Sequence, residues 1–153
     1  SGAFWAAKLA EFRVCDAATR VEETLCLAAL VQAICAKLVV LRDNNYGFRR
    51  YPPQLIQENK WRAMRGGMDA KLVDFGKSQD VPMRELAVEL LEFVDDVVDT
   101  LGSRREVSYL ETIVREGTSA DRQLTAFAAT GHLHAVVDQV AAETIAGVPV
   151  LTL

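Results

Sequence analysis

The stretch Glu11-Phe-Arg-Val-Cys-Asp16 decides how the chain is interpreted, because it has the pattern of an extended strand with two different faces. Side chains alternate along a strand, so Glu11 and Arg13 project from one face and Phe12 and Val14 from the other. Phe and Val favour strands and suit a packed face. On the opposite face the carboxylate and the guanidinium lie roughly 6–7 Å apart. The pattern indicates either a surface ion pair or a site in which the acid holds a cation and the Arg binds phosphate.

The residues ahead of this stretch leave a second possibility open. Residues 3–10 are rich in alanine, a composition that is compatible with a helix. A helix running into Glu11 would place Glu11 and Arg13 on different faces. Residues 3–16 are therefore either strand or helix at this point.

Length, composition and charge narrow the class of protein. The chain has 153 residues, of which 50% are hydrophobic and 25% are charged, as in one globular domain. A net charge of −4 without a long basic run argues against nucleic acid and anionic membrane surfaces as partners. The longest apolar run, Leu25 to Ala36, is interrupted by Gln32 and is too short to span a bilayer.

The three cysteines, Cys15, Cys26 and Cys35, have no CxxC spacing. They are interpreted as reduced thiols of a cytoplasmic protein rather than as zinc ligands. The two histidines, His132 and His134, have no acid at ligand spacing and are predicted to lie on the surface.

Helix start and stop signals predict five or six helices after the first stretch. Their expected ranges are 19–42, 53–65, 81–101, 103–116, 118–130 and 133–146. The starts rest on capping boxes at Thr19 and Ser103, on a cap at Thr118 or Ser119, and on Pro53 and Pro82, and glycines end most of the helices. Residues Lys71–Phe75 are expected to form a short strand or an extended segment.

Two helices have informative faces. The first is apolar almost all round between Leu25 and Ala36, which predicts a central helix buried on most sides. The third carries a row of acids, which is typical of a solvated face rather than of a metal site. These acids are Glu92, Asp95, Asp96 and Asp99.

Four further stretches, in order along the chain, complete a pattern with Glu11–Asp16. They are Thr19-Arg-Val-Glu-Glu23, Glu58-Asn-Lys-Trp-Arg-Ala-Met-Arg65, Leu72-Val-Asp-Phe75 and Gly117-Thr-Ser-Ala-Asp-Arg-Gln-Leu124. Together they resemble the type 2 glutamate–cysteine ligase or carboxylate-amine ligase family, from Glu11 to about Gly147. The resemblance matches only the C-terminal part of such an enzyme.

For the fold, the resemblance implies a mainly α class: a helical domain with one or two β-strands that belong to a larger α+β ligase sheet. Residues 1–153 form a single domain in this interpretation. It consists of a strand segment at 1–18, a helical part at 19–147 and an apolar tail at 148–153.

For the activity, the resemblance implies an ATP-dependent ligase that joins the γ-carboxylate of glutamate to cysteine or another amine through an acyl phosphate. Glu11 matches a carboxylate that holds Mg²⁺, and Arg13 matches an Arg that contacts the transferred phosphoryl group. Further candidates for binding nucleotide or substrate are Asn59, Arg62, Arg65 and Arg122.

The alternative hypothesis is a non-catalytic helical interaction or dimerisation module. In either case the 153-residue chain alone is expected to be inactive, because the larger part of the family's sheet and ligands is absent from it. An unpaired strand edge seeks a partner. Either a homo-oligomer formed through residues 9–16 or refolding of this segment as a helix is therefore expected.

Overall fold

The computed structural model describes Phe12 and residues 14–146, and within them the chain is mainly helical. Six α-helices and one β-hairpin account for the described secondary structure, with a short 3₁₀ turn at Gly67–Asp69. The helices are α1 (Val21–Asp43), α2 (Pro53–Gly66), α3 (Met83–Val98), α4 (Arg104–Glu116), α5 (Ser119–Thr130) and α6 (Leu133–Ile145). Strands β1 (Lys71–Asp74) and β2 (Gln79–Pro82) pair antiparallel. The predicted class, mainly α with one or two strands, is confirmed.

The core lies where α1, α3 and α4 meet. Each helix presents one apolar stripe to the other two, and Cys26, Ala33 and Val94 are fully buried at the centre. The remaining buried members are Ala29, Leu30, Val97, Val98, Val107, Leu110 and Ile113. Helices α5 and α6 contribute no buried residue. Helices α1, α3 and α4 therefore form a three-helix core with the α5–α6 hairpin beside it, and α2 packs on the β-hairpin.

Helix α1 is central, but the expectation that most of its sides are buried was wrong. Its buried residues, from Glu23 to Ala33, lie on one face. Val21, Leu25 and Val39 on other faces are 46–50% exposed. The physical reason is that α3 and α4 cover only one side, and no other described element covers the rest.

Helix α1 is longer than the apolar run Leu25 to Ala36 that was judged too short to span a bilayer. The whole of α1 has 23 residues, and an 18-residue window within it has a mean hydropathy of 2.2. By length and composition alone this helix could cross a membrane. Buried core helices have the same composition, and one face of α1 packs in the core described above.

Both predicted capping boxes were wrong. Helix α1 begins after Arg20, and the Thr19 hydroxyl contacts distant side chains instead of the helix end. The Ser103 side chain makes no capping bond, and its Oγ is buried without a partner. At the start of α5, Thr118 is the N-cap, which is one of the two caps predicted there. The Asp121 carboxylate accepts hydrogen bonds from the backbone N–H and the hydroxyl of Thr118 at 2.7 and 2.9 Å.

The hairpin was only half predicted. β1 corresponds to the expected strand, but β2 was missed, and α3 begins at Met83 after this second strand. The polar sequence of β2 hides it, since only Val81 is buried. At the turn, the Asp74 carboxylate accepts hydrogen bonds from the backbone N–H groups of Gly76 and Lys77, both at 2.8 Å.

Helix α3 ends at Val98 rather than at the predicted Leu101. The Asp99 carboxylate binds the Arg104 guanidinium across the turn to α4. The acidic face is exposed as predicted, and Asp95 and Asp96 form ion pairs with Arg104 and Lys37. These ion pairs do not bury the acids, because the side chains of Asp95 and Asp96 stay 66% and 55% exposed.

Candidate functional site

The two residues with the strongest predicted roles, Glu11 and Arg13, lie outside the described residues. Phe12 and Val14 beside them are described, and they are 54% and 63% exposed instead of packed. No strand is assigned to Phe12 or to residues 14–16. Within the described part of the chain no element lies beside them that could form the other side of a packed face.

Asn59 holds helix α2 on the β-hairpin. Its amide oxygen accepts a hydrogen bond from the backbone N–H of Val73, and its amide nitrogen donates to the carbonyl of Val73, both at 2.8 Å. One side chain thus satisfies both backbone groups of a residue in β1, as a neighbouring strand would do. In this structure both polar atoms of the Asn59 amide are therefore hydrogen-bonded to the protein backbone.

Arg62 lies one turn further along α2 and also contacts the hairpin. Its guanidinium pairs with Glu58 at 2.7 Å and with Asp80 of β2 at 2.9 Å. The hydrogen bond to Glu58, followed by the contacts with Asp80, raises the pKa of Arg62 above its ordinary value. Glu58 and Arg62 are four residues apart on one helix, a spacing at which such pairs form, whereas Asp80 is a partner that helical spacing could not reveal.

Arg65 lies one turn beyond Arg62 on α2. Its side chain is exposed and forms no ion pair with another described residue. Trp61 on the same helix is 58% exposed. This end of α2 therefore keeps one cation and one aromatic ring accessible.

Arg122 is the centre of a buried polar cluster between α1, α5 and α6. Its guanidinium lies 2.8 Å from the Glu23 carboxylate of α1 and 2.8 Å from the Glu143 carboxylate of α6. The side chain of Arg122 is only 13% exposed, and that of Glu23 only 6%. A buried Arg held by two acids is a charge-assisted arrangement with fixed geometry.

Thr19 joins this cluster from the segment ahead of α1. Its hydroxyl donates to Glu143 at 2.5 Å, lies 3.1 Å from the hydroxyl of Ser119, and accepts a hydrogen bond from Arg122 at 3.2 Å. Thr19 is 9% exposed. The cluster therefore connects the end of the Glu11–Asp16 segment, three residues before Thr19, to the α5–α6 hairpin.

The charges of the cluster nearly balance. Arg20 adds a second guanidinium, 3.7 Å from Glu143, so that two cations face the acids Glu23 and Glu143. Burial opposes the charge of Glu143, but hydrogen bonds from Arg122, Thr19 and Gln139 outweigh it and lower the pKa of Glu143 to about 2. Burial also opposes the charge of Arg122, yet the same acids raise its pKa. The guanidinium of Arg122 is thus engaged by protein carboxylates.

One atom of the cluster has no partner. Oε2 of Glu23 is buried and accepts no hydrogen bond in the structure. A buried carboxylate oxygen without a donor is costly, and bound water or a ligand donor is the usual remedy. Glu23 is therefore the member of the cluster with unused binding capacity.

The end of α2 lies close to Asp121, the residue before Arg122. A Cβ built on Gly67, which ends α2, would lie 3.7 Å from Oδ1 of Asp121, an ordinary contact distance, and the φ of +53° at this position favours glycine. A Cβ on Gly117 would come within 2.8 Å of the same carboxylate. Glycine at position 117 therefore leaves the room that the Asp121 side chain occupies.

The sequence did not reveal the partners of Arg122. Thr19 was predicted to cap a helix, Glu23 lies in the first turn of α1, where an acid suits the helix N-terminus, and Glu143 belongs to none of the quoted motifs. One signal was present: Glu23 shares a helical face with the buried Cys26 and Leu30, at spacings of three and seven residues. An acid on a core-facing stripe indicates a buried partner.

Comparison with known proteins identifies the family. The model of glutamate–cysteine ligase family 2 matches residues 5–139. The chain belongs to this family.

The relatives are bacterial. A protein of Chloroflexus aggregans named "Putative glutamate--cysteine ligase 2" is 59% identical over 142 residues, which cover 93% of this chain and 36% of the relative. Proteins with the same name from Roseiflexus castenholzii and Solibacter usitatus are 56% and 54% identical, over 92% and 88% of this chain and 37% and 35% of theirs. No solved structure matches the chain significantly. The chain thus spans little more than a third of the length of these family members.

Proposed function

We propose that this chain is the C-terminal part of an ATP-dependent carboxylate-amine ligase that forms a γ-glutamyl amide from glutamate and cysteine or a related amine. The observation that supports the proposal is family membership over nearly the whole chain, at 54–59% identity to the three relatives described. Activation of the γ-carboxylate as an acyl phosphate, with Mg²⁺ and ATP, is part of this proposal.

The described residues do not by themselves form the site for Mg²⁺ and nucleotide. Among them, no group of three or more His, Cys, Asp or Glu side chains could hold a metal ion. Asn59, Arg62 and Arg122 are engaged by other protein groups, and Arg65 is the candidate that stays exposed. As the resemblance to the family implies, we propose that Glu11 makes the metal contact and Arg13 the phosphoryl contact. The remaining ligands would come from the part of the enzyme that precedes this chain in its relatives.

Within this proposal, the described residues act as supports. The Arg122 cluster anchors Thr19 and thereby the end of the Glu11–Asp16 segment, and Asn59 and Arg62 hold α2 on the hairpin. A guanidinium and a carboxylate can act on a substrate only when held in place, since misplacement by about 1 Å can cost roughly 100-fold in rate.

The experiment uses a chimaera in which residues 5–146 replace the matching part of the Chloroflexus aggregans relative. ADP release is measured with glutamate, cysteine and Mg²⁺-ATP. We expect turnover by the chimaera. Arg13→Ala should lower it roughly 100-fold or more, by analogy with the loss of a charge-stabilising donor. Glu11→Gln should also lower it, because a neutral amide is a weaker ligand for Mg²⁺ than a carboxylate. Matched controls are Glu111→Gln and Arg105→Ala, both at exposed positions.

The alternative is a non-catalytic interaction module, and one observation favours it: three of the four polar candidates from α2 and α5 make internal contacts. The chimaera separates the two. An unmodified relative that turns over, beside a folded chimaera that does not, would contradict the ligase proposal. Turnover unaffected by both substitutions would instead reject Glu11 and Arg13 as the catalytic pair.

A further inference from the structure

Glu143 of α6 is the residue on which the polar cluster around Arg122 converges. Its carboxylate accepts two hydrogen bonds from the Arg122 guanidinium, at 2.8 and 3.0 Å, one from the Thr19 hydroxyl at 2.5 Å and one from the Gln139 amide at 3.2 Å. Its side chain is only 15% exposed. Glu143 lies four residues beyond the part of the chain that matches the family model, residues 5–139. Neither the motifs nor the family match therefore assigns it a role.

Thr19 is the first buried residue along the described part of the chain. Phe12 and residues 14–17 are exposed, whereas Thr19 is only 9% exposed. Three residue steps separate it from Asp16, at most about 11 Å of extended chain. The Thr19 hydroxyl therefore sets where the Glu11–Asp16 segment joins the folded helices.

We propose that Glu143 is a positioning residue for the ligase reaction, because it holds the Thr19 hydroxyl and thereby fixes the Glu11–Asp16 segment. A carboxylate that binds a guanidinium through two parallel hydrogen bonds has a fixed position and orientation. Glu143 has this geometry with Arg122, and the Glu23 carboxylate of α1 holds the same guanidinium at 2.8 Å. The acceptor presented to Thr19 is thus fixed relative to α1, α5 and α6. An effect on catalysis rests on the proposed function, whereas the position of the segment can be measured without turnover.

The alternative is that Thr19 and Glu143 only help to join the α5–α6 hairpin to α1. One substitution separates the two roles. Thr19→Val keeps the shape of the side chain and removes its hydroxyl, so that Arg122 still binds Glu143 and Glu23. A purely structural role predicts a lower urea midpoint without a change in the motion of Cys15, which lies in the segment itself.

A nitroxide label on Cys15 of the 153-residue chain is the test. Cys15 is exposed and Cys26 is buried, so a Cys35→Ser background leaves Cys15 as the thiol that the reagent modifies. Thr19→Val and Glu143→Ala should each shorten the rotational correlation time of the label roughly twofold or more, because a segment released from its anchor moves on the nanosecond scale. Thr19→Ser keeps the hydroxyl and should retain the wild-type spectrum.

A label on Cys35 in a Cys15→Ser chain is the matched control. Cys35 is also exposed, but it lies on α1 and outside the cluster. Its spectrum should be the same in every variant that keeps the far-UV circular dichroism of the wild type. Thr19→Val decides the test if Glu143→Ala does not fold.

In the chimaera described above, Thr19→Val should lower kcat roughly tenfold while the KM values for glutamate and ATP stay within about twofold, because misplaced catalytic groups cost rate rather than binding. A folded Thr19→Val chain with the wild-type Cys15 spectrum overturns the proposal. So does a spectrum that changes with Thr19→Val but not with folded Glu143→Ala, since the anchor would then be another partner of the hydroxyl. A changed spectrum with unchanged kcat in an active chimaera rejects the role in catalysis. A chimaera without turnover rejects the proposed function instead, and the label still decides whether Glu143 fixes the segment.

Discussion

Arg122 of α5 and Glu23 of α1 form a buried ion pair at 2.8 Å, with side-chain exposures of 13% and 6%. The pair joins the α5–α6 hairpin to the three-helix core, to which these two helices otherwise contribute no buried residue. Removing one partner of such a pair leaves an uncompensated charge away from water. The cluster therefore matters first for stability.

Arg122→Ala should lower the free energy of unfolding by about 3–5 kcal/mol, the cost typical of breaking a buried ion pair. Both Glu23 and Glu143 would then lack their guanidinium. Urea unfolding followed by circular dichroism measures the effect, and exposed Arg105→Ala is the matched control, expected to stay within about 0.5 kcal/mol. A loss for Arg122→Ala as small as that of the control would show that the cluster does not hold the hairpin.

Glu23→Gln should relieve part of that loss. With the buried acid neutralised, removal of Arg122 leaves one charge fewer without a partner, so the double variant should be more stable than the sum of the single effects predicts. Residues in direct contact typically couple by about 0.5–3 kcal/mol. Strict additivity in the double-mutant cycle would mean that Arg122 and Glu23 do not interact in solution.

Stability should fall in acid through Glu143. Its pKa is lowered from 4.5 to about 2 in the folded chain, so the stabilisation is complete above the unfolded pKa. It is lost as the pH falls from about 5 towards 2, where the folded carboxylate takes up its proton. Urea midpoints across this range should decline more steeply for the wild type than for Glu143→Gln. Parallel curves would assign the acid sensitivity to other groups.

Asn59→Ala should loosen the hairpin. The variant leaves the N–H and the carbonyl of Val73 without their 2.8 Å partners, and about 1–3 kcal/mol is typical of a lost buried partner. Hydrogen exchange at the Val73 amide should accelerate, whereas exposed Gln57→Ala on the same helix should leave it unchanged. Equal protection in both variants would contradict the role of Asn59 as a clamp.

The thiols should separate into two classes. Cys26 is fully buried, and burial raises its pKa to about 11, whereas Cys15 and Cys35 are exposed. Since the thiolate is the reactive form, a disulfide reagent at pH 8 should modify two thiols in the native chain and the third only after unfolding. Cys35→Ser should leave one rapidly reacting thiol. Three fast thiols in the native wild type would mean that the core around Cys26 opens readily.

Local signals in the sequence determined where several of the helices begin and end. Pro53 begins α2, Gly117 ends α4 with a φ of +88°, and Thr118 with Asp121 begins α5, because each signal acts within a few residues of itself. The ordered motifs also indicated the family, which the comparisons confirmed.

The tertiary structure decided what the sequence left open. Whether Thr19 caps a helix or joins a distant cluster depends on Glu143, which lies at the other end of the chain. The amide of Asn59 finds its partner in β1, and Arg62 finds one in β2. Whether the apolar α1 is covered on one side or all round depends on how many elements pack against it. The hydrophobic periodicity of a sequence indicates which side chains are buried, but it does not indicate which distant groups they contact.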